Sequence, residues 1–114
     1  MLAMTFLEVK AILDYALVGW QLKSRTAPDL SSHQGGAAPF SWQTRAELLA
    51  AWGHGYQLIQ PGVIGNGMGD QANLIIDLRR GIVSPARRMP LGGPYLDESL
   101  VQLVVQWINE GCLD

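Results

Sequence analysis

The residues Arg88-Met89-Pro90-Leu91-Gly92-Gly93-Pro94-Tyr95-Leu96-Asp97, running directly into Glu98-Ser99-Leu100-Val101-Gln102-Leu103-Val104-Val105-Gln106-Trp107-Ile108-Asn109-Glu110-Gly111, decide how this chain is read. Before Asp97, a pair of prolines and a pair of glycines prevent either a helix or a strand ladder from persisting. Asp97 then offers an N-cap, and Leu100, Leu103, Val104, Trp107 and Ile108 recur at helical spacing until Gly111 supplies a stop. A punctuated Met-Pro loop therefore feeds an amphipathic helix near the end of the chain.

The same period appears at the other end. Phe6, Val9, Ile12, Leu13, Ala16, Leu17 and Trp20 form one apolar stripe, while Glu8, Lys10 and Asp14 fall mostly elsewhere. Thr5 and Glu8 fit a capping box, so a first helix is predicted over about 6–23. From Ser24 to Trp42 the chain carries Pro28, Gly35, Gly36 and Pro39 without sustained period and reads as a long loop. A second capping box, Thr44 with Glu47, opens a short helix through Leu48, Leu49 and Trp52 that Gly53 should end. The stretch from Pro61 to Gly69 contains four glycines, which predict a tight, irregular connection. Asp70 is then expected to cap a third helix carrying Ala72, Leu74, Ile75 and Leu78 and ending near Gly81. The expected fold is all-α, four helices joined by long loops, with no convincing strand pair.

Composition bounds what such a fold can do. The 114 residues make one domain, 48% of them apolar, and that content excludes a disordered chain. A single cysteine excludes an intramolecular disulfide framework, a cysteine-based zinc site and an iron–sulfur cluster, each of which needs at least two. The net charge of −2 argues against a general nucleic-acid binder. Glu8, Lys10 and Asp14 interrupt the apolar start, no basic residue precedes it, and no stretch approaches the roughly 20 apolar residues that cross a bilayer. The expectation is a soluble, cytoplasmic protein without membrane association.

The quoted residues also carry a resemblance. The run from Arg88 to Asp97, with Gln106-Trp107-Ile108-Asn109-Glu110-Gly111 after it, resembles the C-terminal half of class I cytochrome c domains. In that family a Met-Pro loop supplies the axial sulfur and the last helix ends in a Trp-Ile-x-x-Gly pattern. Phe6 to Leu13 is similar to the family's opening helix. Gln60-Pro61-Gly62 with Ala72-Asn73-Leu74-Ile75 is similar to its middle segment. The resemblance implies a cytochrome c-like fold over residues 1–114.

The departure from the family is as informative as the match. Where the family has Cys-x-x-Cys-His at the end of its first helix, this chain reads Ala16-Leu17-Val18-Gly19-Trp20. Both thiols and the proximal imidazole are missing, and Cys112 has no second cysteine to restore two thioether links. No cofactor is expected; covalent haem is ruled out, and haem held non-covalently stays open. Met89 is then a vestigial axial-ligand position, and Ala16, Gly19 and Trp20 stand where attachment is lost. An unfilled haem-sized hole would be ruinous at about 24 cal/mol per Å³. Bulky side chains, collapsed loops or another ligand must replace it. Four tryptophans and three tyrosines supply the bulk, and Trp20 is expected to turn into the vacated space.

Other residues carry weaker signals. His33 and His54 lie among glycines without metal-ligand spacing and read as ordinary surface histidines; no metal site is expected. Gly62, Gly65, Gly67 and Gly69 follow no strand of the kind a dinucleotide fingerprint requires. No nucleophile motif is present, so no enzyme activity is expected. Arg79, Arg80, Arg87 and Arg88 are the sharpest charge feature: ten positions hold four of the eight bases and no acid. Such clustering steers an acidic partner, against the ordinary alternative of a solvated face with local ion pairs.

The expected function is a non-catalytic accessory or protein-interaction domain. It would dock a protein with an acidic surface through Arg79, Arg80, Arg87, Arg88 and Tyr95, with apolar groups near Trp42, Trp52 and Leu91 buried on contact. The alternative is a binding module whose vacated pocket takes a small planar ligand or non-covalent haem through Met89 and a histidine. An exposed patch of aromatic residues would favour a homodimer.

Overall fold

The computed structural model describes residues 3–24, 41–53, 56–81, 84–85, 88–90 and 93–114. Most of the long loop expected over 24–42, and with it His33, lies outside these residues, as do His54, Arg87 and Leu91. The described chain is mostly helical: α1 spans Phe6–Ser24, α2 Arg45–Ala50, α3 Asn73–Arg79 and α4 Glu98–Asn109. Two 3₁₀ turns, Pro61–Val63 and Gly69–Gln71, lie between α2 and α3.

The two long helices form where both period and caps predict them. At the start of α1 the backbone N–H and the hydroxyl of Thr5 both reach Glu8 Oε1, at 3.1 and 3.2 Å. At the end of α4 the Gly111 N–H bonds the Ile108 carbonyl and the Cys112 N–H bonds the Trp107 carbonyl at 2.9 Å. These bonds satisfy carbonyls that a helix end leaves without intrahelical partners. Asp97 stands at the N-cap of α4 as expected, but its carbonyl, not its side chain, takes the first helical hydrogen bonds.

Both helices share one core. Val9, Ile12, Leu13 and Ala16 of α1 meet Val101, Val104, Val105, Trp107 and Ile108 of α4, with Leu74, Ile75 and Leu78 of α3 completing the cluster. Trp107 is fully buried, lies 6.2 Å from the Phe6 ring, and donates its indole N–H to the Leu113 carbonyl at 2.7 Å. The chain ends are tied together here, since Phe6 N–H also reaches Leu113 O and Met4 N–H reaches Glu110 Oε1, both at 2.9 Å.

The two short helices depart from expectation. The second ends at Ala50, before Trp52 and Gly53, because Ala51 turns to extended backbone and Trp52–Gly53 (β1) pairs antiparallel with Tyr56–Gln57 (β2). That two-residue ladder is a strand pair the sequence pattern does not announce. The third helix starts at Asn73, because Asp70 belongs to the preceding 3₁₀ turn and its carboxylate serves Arg79 instead. The first N–H of α3 is satisfied from elsewhere in the chain: Asn73 N–H donates to Gln60 Oε1 at 3.0 Å, and Leu74 N–H to the Leu58 carbonyl at 2.6 Å.

Candidate functional site

The Met-Pro loop is anchored on the C-terminal end of α3. Gly81 takes φ +86° and donates its N–H to the Ile76 carbonyl at 3.0 Å, closing the helix. A Cβ on Gly81 would lie 2.2 Å from Ser84 O and 2.7 Å from Arg88 N, so only glycine lets the loop return so close. The returning backbone is then bonded to the helix: Met89 N–H donates to Asp77 O at 3.0 Å and Arg88 Nε to Leu78 O at 3.1 Å. Met89 itself is half-buried and packs against the core.

On the opposite side of the loop, Gly19 of α1 faces Pro94, and a Cβ there would lie 3.3 Å from Pro94 Cγ. Ala16 is buried within the core, and Trp20 is half-buried. Ala16 and Gly19, two of the positions where the resemblance places the lost attachment, are thus helix-packing positions against the core and the loop. The donor set does not fit covalent haem, which needs two thiols where Ala16 and Gly19 stand. Of the pair a non-covalently held haem would need, Met89 is packed inward and both histidines lie outside the described residues.

The arginine cluster is divided in its roles. Arg79 is engaged by two carboxylates, Asp70 at 2.6 Å and Glu98 at 2.6 Å, with a second bond from Nε to Glu98 at 3.0 Å. The Glu98 hydrogen bonds, more than the one to Asp70, raise the pKa of this guanidinium, and the same bonds hold the Glu98 carboxyl below its ordinary value. The charge of Arg79 is therefore answered within the domain and joins the start of α4 to the end of α3. Arg80 is exposed. The Arg88 guanidinium stacks 4.0 Å above the ring of Tyr95, whose exposure is 42%. That stack is a cation–π contact with its charge fixed at the surface. No sequence period could find it, because the two residues meet across a loop.

Trp42 corrects the expectation of an exposed apolar rim beside the cluster. It is buried to 7% exposure and donates its indole N–H to Asp14 Oδ1 at 2.8 Å. Burial pushes the Asp14 pKa up, but hydrogen bonds from Lys10 and Trp42 outweigh it and leave the carboxyl below its ordinary value. Trp52 is half-buried. Cys112 is buried, and desolvation pushes its thiol up to about 11 against the opposing charge of Arg45, which places it far from a reactive thiolate.

Away from the loop, an open groove of about 450 Å³ is lined by Phe6, Gln43, Thr44, Arg45, Ala46 and Asp114, none of which the sequence marks for chemistry. Among the described residues, no three His, Cys, Asp or Glu side chains are grouped to hold a metal ion, and no helix is long and apolar enough to cross a membrane. Comparison of the chain with protein-family models, curated proteins and solved structures finds no match.

Proposed function

We propose that this chain is a cytochrome c-like domain without covalent haem that works as a non-catalytic protein-interaction or accessory domain. Its partner is a protein with an acidic surface, met by Arg80, Arg88 and Tyr95. The observation that carries this reading is the Arg88–Tyr95 stack at 4.0 Å. Arg88 is held from behind by the Leu78 carbonyl, so its guanidinium is already ordered, and an ordered charge loses less entropy on docking. Arginine and tyrosine are also the residue types that dominate interface energies. Arg79 is assigned a structural role instead, since Asp70 and Glu98 already compensate it.

The closing of Gly19 on Pro94 supports the haem-free half of the reading, because the two segments that would flank the cofactor are in contact range. The test compares affinity capture by the wild-type chain with capture by the Arg80→Ala/Arg88→Ala double variant, at low and at about 0.5 M salt. The expected result is a partner retained by the wild type at low salt, released at high salt as screened charges require, and reduced at least tenfold in the variant. Identical capture by a folded double variant overturns the proposal.

A further inference from the structure

Helix α1 carries a second apolar stripe that the core does not use. Leu7, Tyr15, Val18 and Leu22 are 73%, 66%, 51% and 76% exposed, and Ala11 is exposed between them. Leu7 and Val18 stand eleven positions apart, as do Ala11 and Leu22. Eleven residues make about three turns at 3.6 residues per turn, so the stripe runs straight along the helix. It is about 22 Å long at 1.5 Å per residue.

We infer that this face of α1 pairs with the same face of a second copy of the chain, as an antiparallel two-fold dimer. Two observations favour a second copy as the occupant. The stripe is self-complementary: in an antiparallel pair centred at residues 14–15, Leu7 meets Leu22, Ala11 meets Val18, and Tyr15 lies beside its own counterpart at the axis, as a two-fold interface requires. Finally, the area suffices: the stripe presents about 500 Å² of apolar surface, and two copies bury about 1,000 Å², the size at which specific interfaces begin. The pairing uses none of Arg80, Arg88 or Tyr95 and stands whether or not the docking reading does.

The test is the mass of the purified chain across about 5–200 μM by sedimentation equilibrium, for wild type and Val18→Glu. The wild type is expected to form a dimer. Val18→Glu, which buries two carboxylates against Ala11, is expected to raise the dissociation constant roughly a hundredfold with unchanged helicity. A wild type that stays monomeric at 200 μM overturns the inference, and so does a dimer that Val18→Glu leaves intact. Disulfide trapping fixes the direction independently of how that variant folds. Tyr15→Cys is expected to cross-link to itself, and Leu7→Cys to cross-link with Leu22→Cys but not with itself. Self-linking of Leu7→Cys means a parallel pair and overturns the antiparallel assignment.

Discussion

Helices α1 and α4 pack against each other and differ in what they do with their outer faces. On α4 the apolar residues concentrate on one side, and Leu103 at 37% is its one large apolar side chain among those left exposed. On α1 apolar residues line both sides, with Val9, Ile12 and Leu13 buried and Leu7, Tyr15 and Leu22 in solvent. The fold explains the whole pattern of α4 and only half of α1. Large apolar side chains grouped in solvent are uncommon unless something covers them, so the unexplained half is where association is to be sought.

Breaking the inner side should have the largest effect. Trp107→Ala removes the largest fully buried side chain together with its hydrogen bond to Leu113, and is expected to destabilise the domain by about 3–5 kcal/mol in urea unfolding. Leu22→Ala, on the outer face, is expected to change monomer stability by less than about 0.5 kcal/mol in the same assay at low concentration. Equal losses at the two positions would mean that the outer face of α1 is part of the core.

The loop between α3 and α4 is the next test. Gly81→Ala forces a side chain onto a backbone at φ +86° with Ser84 O 2.2 Å away, and an expected loss of at least about 2 kcal/mol follows. Because Arg88 N is also in the way, the Arg88–Tyr95 stack should loosen, read by the Tyr95 ring resonances. An unchanged Tyr95 spectrum would show that Gly81 does not position the stack.

Smaller still is the effect of Arg79, whose carboxylate partners are more than half exposed. Arg79→Ala is expected to lower Tm by about 1–3 °C at neutral pH. Glu98 has a lower pKa in the folded chain than its ordinary 4.5. Its ionised form is therefore the one folding favours: the contribution is complete above pH 4.5 and fades as the pH falls through the depressed value. The Tm difference between wild type and variant should close on acidification; a difference that widens toward low pH would contradict the ion-pair account.

The sequence shows α1 and α4 almost whole, because their start and stop signals are local: Thr5 with Glu8, and Gly111 after Ile108. It misplaces the ends of α2 and α3 because those are set from a distance. Gly53 has the look of a helix stop but is drawn into a strand pair with Tyr56, and the first N–H of α3 is held by Gln60, thirteen residues back. The candidate site is legible as residue types only. Four arginines look equivalent in sequence; Arg79 is neutralised by Glu98, nineteen residues on, while Arg88 is stacked and presented. The outer stripe of α1 escapes a reading that looks for one apolar side, since Glu8, Lys10 and Asp14 already make the helix look amphipathic.

The functional reading requires that packing has replaced the haem apparatus, with Gly19 against Pro94 and the half-buried Met89 packed against the core. An absorption spectrum of the purified chain from about 350 to 600 nm, repeated during titration with haemin, tests it directly. No Soret band is expected at the start and no saturable shift during the titration. A Soret shift that saturates at one equivalent, and that Met89→Ala abolishes, would contradict the replacement of haem by packing.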